Sequence, residues 1–337
     1  MSKEQSSEHL MMSRRSFLGG GLASVTACGL TSSDGAACAS EEPRGDRLAD
    51  APGDAKSGYI DAHVHVITGD TQRYPLKPGF RKEQMVLPSF TPQELFAHCR
   101  PCGVARIVLI QISYYGYDNS YMLEMMRQHA GVFSGVACID EHVRPRQTML
   151  ELADRAVRGF RIVPGKATPE RWLDDEDMSV MWRCGADRGL AMCPLIDPRF
   201  LPAVDRMCRR FPQTPVVIDH FARIGADGVI RPEDLEALCG LARHKEVRVK
   251  LSAFYALGKK DPPYLDLAPM IRRLLGAFGP ERLMWASDSP FQVVGKHTYQ
   301  ASVELVRTRL EFLSDGDREW ILRRTAEKVF FLGAPTK

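Results

Sequence analysis

Two histidines one residue apart, His63 and His65 in Ile60-Asp61-Ala62-His63-Val64-His65-Val66, are the first residues of this chain that could do chemistry together. On a β-strand, side chains two apart share a face. The imidazoles would point one way, and Ala62, Val64 and Val66 the other. Paired imidazoles at a strand end can ligate one metal ion or flank one substrate. The plainer reading, a strand with two merely hydrogen-bonded histidines, needs a separate buried partner for each ring. The choice turns on whether other strands deliver polar groups to the same end.

The elements that could do so recur regularly. Short apolar, β-branched runs lie near residues 59–66, 106–113, 133–140, 157–163, 191–197, 215–221, 247–254 and 282–288. Amphipathic stretches separate them, among them 92–102, 121–130, 146–157, 199–211, 232–244 and 267–278. Val204, Cys208 and Phe211 recur at i, i+4 and i+7, one face of a helix. Thr91-Pro92-Gln93-Glu94 is a helix start, with Thr91 as N-cap and Pro92 in the first position. Eight strand–helix units in about 280 residues predict an α/β fold, a (β/α)8 TIM barrel, which typically takes about 250. An open doubly wound sheet is disfavoured, because the first run leads into a long polar loop, 68–89, without a Gly-x-Gly-x-x-Gly turn.

Barrel active sites form at the C-terminal ends of the strands. With a period-two phase kept on each run, the inward candidates there are His63 and His65, then Gln111 and Ser113, Arg161, Cys193, His220, Lys250 with Ser252, and Asp288. Three of the nine histidines fall on this end, and the rest lie in the tail, helices or loops, where a solvated role is the default.

Asp61-Ala62-His63-Val64-His65, Asp219-His220-Phe221, Lys250-Leu251-Ser252 and Ser287-Asp288-Ser289-Pro290 stand in the order and spacing of the amidohydrolase-related (amidohydrolase 2) TIM-barrel hydrolases. Over roughly residues 57–333 the chain resembles that family, above all its pyrone-dicarboxylate lactonase and sugar lactonase branch. A sister branch contains zinc-dependent decarboxylases of carboxylated aromatic and muconate-type acids. The resemblance implies a His-x-His pair at His63 and His65, the sixth-strand histidine at His220 and the eighth-strand aspartate at Asp288. It also exposes a departure. Metal-dependent members carry a further histidine on the fifth strand, where this chain has Cys193, and Arg161 stands where a bridging Lys or Glu would be.

The expected activity is therefore hydrolysis of a lactone or similar ester of a small carboxylated substrate. Asp288 would be the base for water, and His220 the polariser of the carbonyl or the partner of Asp288. Arg161, Arg223, Gln111, Ser113 and Lys250 would bind substrate, since guanidinium groups match carboxylates. A divalent metal, Zn²⁺, would use His63, His65 and Asp288, with Cys193 or His220 as a fourth ligand. Weak or no zinc dependence is expected, because the fifth strand offers Cys193 instead of His. A metal-dependent decarboxylase and a non-catalytic exported binding barrel are the alternatives.

Composition is that of an ordinary soluble chain, with 337 residues, 44% hydrophobic, 26% charged and a net charge of +3. It suggests no nucleic acid partner. Ser13-Arg14-Arg15-Ser16-Phe17-Leu18, followed by a Gly/Ala-rich run to Leu30, resembles a twin-arginine export signal. The expected organisation is a signal region at 1–39, a linker at 40–57 and the barrel at 58–333. Two processing routes compete: lipidation of Cys28 after Val25-Thr26-Ala27, giving a membrane-anchored lipoprotein, or cleavage near Ala39, giving a soluble periplasmic protein. Replacing Arg14 and Arg15 by Lys is expected to leave the full-length chain in the cytoplasm, as fractionation would show. Unchanged delivery would remove the signal. Loss of membrane anchoring in Cys28→Ala would separate the two routes.

Overall fold

The computed structural model describes residues 58–331. The residues expected to form the export signal and linker, with Cys28, lie outside them. Eight strands follow one another in sequence order: β1 Tyr59–Val64, β2 Val104–Ile110, β3 Phe133–Ala137, β4 Val157–Ile162, β5 Ala191–Pro194, β6 Val216–Ile218, β7 Val247–Leu251 and β8 Leu283–Trp285. All neighbouring pairs are parallel. β8 returns to β1 through a bridge between Val64 and Ser289, so the sheet closes as a barrel.

The main crossover helices are α1 Pro92–Cys99, α2 Ser120–Gln128, α3 Pro145–Ala153, α4 Glu176–Arg188, α5 Leu201–Arg210, α6 Pro232–Gly240, α7 Ala268–Phe278 and α8 Tyr299–Glu304. α1 starts where Thr91 predicts: Thr91 Oγ1 accepts from the Glu94 N–H, and Glu94 accepts from the Thr91 N–H. After two short segments, α9 Asp315–Glu319 and α10 Thr325–Phe330, α10 lends Ala326 and Phe330 to the barrel interior. There they meet Ile60, Ala62, Val108, Ile110, Val136, Ala191, Cys193, Val217, Met284 and Ala286. No helix among the described residues is long and apolar enough to cross a membrane.

That interior set corrects the phase expected for β1. Ala62 lies in the interior, not on the face opposite His63. The register explains it: Asp61 pairs with Ile107 and Val64 with Leu109, so three steps along β1 match two along β2. One residue is extra, a β-bulge. Asp61 and Val64 both face outward, while Ala62 and His63 both face in. A bulge frees a backbone N–H, and Asp61 takes it up. Its Oδ1 accepts from His63 N at 3.1 Å and from Ser287 N at 2.9 Å, and its Oδ2 accepts from the Tyr299 hydroxyl at 2.7 Å. Burial pushes this carboxyl up to about 6 despite the three donors.

β6 and β8 are shorter than their apolar runs. β6 stops at Ile218, and His220, Phe221, Ala222 and Arg223 follow at φ +50°, +54°, +53° and +60°. β8 stops at Trp285, and Asp288 has φ +63°.

Asp61→Ala would orphan two buried N–H groups. Each such group costs about 1–3 kcal/mol, so urea unfolding should show a loss of at least about 2 kcal/mol. Asp61→Asn keeps an acceptor at the same place and should cost much less. Equal stability of both variants with the parent would remove the bulge assignment.

Candidate active site

The residues gathered at the C-terminal end of the barrel come from β1, β4, β6, β7 and the turn after β8. His63 and His65 both point inward, as their spacing predicts. Their Nε2 atoms are 3.3 Å apart. Asp288 Oδ1 completes a triangle, 3.5 Å from His63 Nε2 and 3.4 Å from His65 Nε2. Asp288, a candidate base for water, would be expected to open onto the cavity. It is instead only 4% exposed, because its left-handed backbone turns the side chain back among His63, His65, His220 and Tyr255.

The protonation of each ring follows from its other neighbour. His65 Nδ1 donates to the Ile110 carbonyl at 2.8 Å, which leaves a lone pair on Nε2. Arg161 Nη2, which can only donate, stands 3.3 Å from His63 Nε2 and leaves that nitrogen an acceptor too. The His63 proton then sits on Nδ1 and faces Asp219 Oδ1 at 3.4 Å, with Lys250 Nζ, 3.2 Å from the same nitrogen, donating to Asp219 instead. Three acceptors therefore converge, and among the described residues no donor comes closer to Asp288 Oδ1 than the two Nε2 atoms. Burial and the nearby Lys250 ammonium hold His63 well below the usual histidine value, so the ring carries one proton and not two.

Beneath this triangle lies a fully buried ion pair, Lys250 Nζ to Asp219 Oδ1 at 3.0 Å. Burial raises the Asp219 carboxyl, but Lys250, His63 and Arg161 together outweigh it and hold the group well below its usual value. Burial likewise pushes Asp288 up, and His220, His65 and His63 more than reverse it. Both carboxylates are ionised at neutral pH. His220 is kept neutral by burial. Its Nδ1 meets Ser252 Oγ at 2.8 Å, and its Nε2 lies 3.8 Å from Asp288 Oδ2.

Other expected positions land elsewhere. In β2 the even-numbered residues Val108 and Ile110 face the interior, so Gln111 has the opposite phase, and its amide donates to the Asp118 carbonyl at 2.6 Å. Ser113 is exposed in the next turn. Lys250, expected at the mouth, is buried below His63. Arg223 is half-buried, with Nη1 3.3 Å from Asp197. Cys193 is fully buried and belongs to neither potential ligand group, His63–His65–Asp288 or His63–Asp219–His220. It fills space opposite a strand glycine: a Cβ on Gly159 would meet its Sγ at 3.2 Å. Burial pushes its thiol up to about 12.

His220 reaches the site by a route the alternation did not give. In β6, Val217 and Asp219 share the inward phase, and the left-handed turn then swings His220 in as well. Asp219 and Tyr255 were missed as site residues. Asp219 could have been found from the inward phase of Val217, whereas nothing in the local pattern around Tyr255 marks it.

Tetrahedral zinc with ligands at 2.0–2.1 Å has ligand–ligand edges of about 3.3–3.4 Å. The triangle of His63, His65 and Asp288 matches that face, and three converging acceptors without a proton call for a cation. The donor set fits one divalent ion. The second group does not, because Lys250 Nζ already lies 3.0 Å from Asp219 and 3.2 Å from His63 Nδ1.

A (β/α)8 barrel with a His-x-His strand and an aspartate after β8 gathered at one mouth is the architecture of a barrel hydrolase. The sequence profile described as Amidohydrolase matches residues 60–332, and the chain is a hydrolase of that family. It is 27% identical over 245 residues to an L-fucono-1,5-lactonase of Burkholderia ambifaria, covering 71% of this chain and 82% of the relative. It is also 27% identical over 251 residues to a 2-pyrone-4,6-dicarboxylate hydrolase of Comamonas testosteroni, covering 72% and 79%. An amidohydrolase of Burkholderia multivorans, solved with bound zinc, shares the fold with a TM-score of 0.69 at 22% identity, over 82% of this chain and all of that one.

Elemental analysis after zinc loading is expected to give one zinc per chain, and His65→Ala should abolish it. Zinc retained in that variant would place the ion elsewhere.

Proposed function

We propose that this hydrolase opens a lactone ring on a small carboxylated substrate, with Asp288 taking the proton from the attacking water. The observation that carries the reading is the Asp288 carboxylate itself: ionised, almost enclosed, and with Oδ1 met only by the His63 and His65 Nε2 atoms at 3.5 and 3.4 Å. A base must be unprotonated and within reach of its proton. The relatives named above act on lactone or pyrone rings, which supports the same substrate class here.

In this reading the water oxygen bonds to the lactone carbonyl carbon as its proton passes to Asp288. The ring C–O bond then breaks, and the proton returns from Asp288 to the leaving ring oxygen. His220, held at Nδ1 by Ser252, faces the carbonyl with Nε2 and steadies its negative charge. Arg161 is the group best placed for the substrate carboxylate. It is nearly buried, yet its closest contacts are 3.3, 3.5 and 3.6 Å, and its Nε has no hydrogen-bond partner among the described residues. Arg223 lies further out, already paired with Asp197. Gln111 and Lys250 keep structural partners and take no part in binding.

His63, His65 and Asp288 would hold zinc, which when bound supplies a Lewis acid and lowers the pKa of water. Dependence on it is weak in this proposal, because Arg161 already places positive charge beside His63 Nε2. The decarboxylase reading would need the fifth-strand histidine that Cys193 replaces. Export by way of Arg14 and Arg15 remains part of the proposal.

Asp288→Asn keeps the shape and removes the proton acceptor. Turnover on a panel of carboxylated lactones should fall about 10²–10⁴-fold, with thermal unfolding nearly unchanged. Chelation should lower turnover of the parent enzyme without abolishing it. Activity of the variant within a few-fold of the parent would exclude Asp288 as the base. No turnover of any lactone by the parent enzyme would exclude the substrate class.

A further inference from the structure

Tyr255 has no part in the chemistry derived above, yet its hydroxyl donates to Asp288 Oδ2 at 2.8 Å. No other donor reaches that oxygen at hydrogen-bond distance among the described residues, since His220 Nε2 is 3.8 Å away. The two oxygens of Asp288 are thus unlike. Oδ2 is tied to the phenol, whereas Oδ1 faces His63 and His65 Nε2 at 3.5 and 3.4 Å. The terminal torsion of an aspartate is broad and two-fold. Nothing in the backbone selects one angle of the carboxylate plane, so a single hydrogen bond can decide it.

The phenol is itself well placed to do this. Tyr255 lies in the turn Phe254–Ala256, which follows β7 through Ala253 in the left-handed region. Its ring stacks on Phe291 at 6.2 Å between centroids and meets His297 edge-on at 6.0 Å. Phe291 in turn packs edge-on against His65 at 5.9 Å. The ring that holds Asp288 and the ring of His65 therefore lean on one phenylalanine.

We propose that Tyr255 is a positioning residue: it fixes the Asp288 carboxylate plane so that Oδ1 completes the triangle with the two histidine Nε2 atoms. The proposal rests on the reading of Asp288 as base and ion ligand. Tyr255 touches neither water nor ion, and acts only through Asp288.

Tyr255→Phe deletes one hydroxyl and leaves the ring stacking intact. Hydrogen-bond partners behind metal ligands are worth about 10–100-fold in affinity, so the zinc dissociation constant, measured by chelator competition, should rise by that factor. On the lactone that the parent turns over, kcat should fall while KM stays constant. Tyr264→Phe is the control. It deletes a buried hydroxyl that meets His297 and Gln292 but not Asp288, and should leave zinc affinity unchanged. Crystal structures of the parent and Tyr255→Phe supply a readout that needs neither turnover nor metal: the carboxylate should be rotated in the variant. An unrotated carboxylate, or unaltered zinc affinity in a zinc-binding parent, would overturn the proposal. Failure of the lactone reading alone would appear as an inactive parent, with the affinity and orientation differences still present.

Discussion

Everything at the mouth of this barrel rests on the ion pair between Lys250 and Asp219. Both side chains are fully buried and 3.0 Å apart. Taking two charges out of water costs several kcal/mol per ion, so such a pair is a poor means of stabilising a fold. What it provides is a permanently ionised carboxylate directly below His63. Asp219 Oδ1 lies 3.4 Å from His63 Nδ1 and keeps the ring proton on that side. The Ile110 carbonyl does the same for His65. The two upper nitrogens are consequently both acceptors, set by groups that never meet a substrate. A hydrogen bond behind each imidazole fixes tautomer and orientation, as it does for ligating histidines generally.

The seam of the barrel and the site are one set of hydrogen bonds. Asp288 N donates to the His63 carbonyl at 2.9 Å, and His65 N donates to the Ser289 carbonyl at 2.8 Å. Ser287 N reaches Asp61 across the same seam. The functional side chains from β1 and from the turn after β8 are therefore held by the closure of the sheet, not by a loose loop. The bulge at Ala62 and His63 makes this workable. It lets Asp61 leave the interior for the seam while two histidines stay inside. The left-handed run His220–Arg223 has a comparable effect after β6. Each non-glycine residue in that conformation costs about 1–2 kcal/mol. The arrangement brings two adjacent residues, Asp219 and His220, to the same site, which an extended strand cannot do.

Much of this was readable from the sequence. The eight apolar runs gave all eight strands, and the Thr91 start of α1 was correct to the residue. His63, His65, Arg161, His220 and Asp288 do converge. The misreadings share one cause, strict alternation carried past a strand end or through an irregularity. Ala62 was placed on the wrong face because a bulge leaves no mark in a six-residue run. Gln111 was read inward although β2 ends one residue earlier, with Ile110 facing the interior. Lys250 had the right phase, but alternation gives the face of a side chain and not its depth. Its long stem and the carboxylate across the barrel decide that. Tyr255 follows a turn whose course depends on left-handed Ala253, and no local pattern specifies it.

Charge balance bears on the acidic substrate proposed for this pocket. The enclosed ionised groups are Asp219 and Asp288 against Lys250 and Arg161, with His63 and His220 neutral. The two cations are not equivalent. Lys250 lies 3.0 Å from Asp219 and is fully committed. Arg161 approaches Asp219 only at 3.6 Å, and its contacts with His63 Nε2 and the Gln111 carbonyl are long, at 3.3 and 3.5 Å. Guanidinium donors in a low-dielectric setting gain most from a bidentate carboxylate, which satisfies two of them at once. A neutral ligand would leave those donors largely unmet, and a cationic one would be repelled. In the proposed reading, the imbalance in hydrogen bonding, more than the net charge, selects a carboxylate.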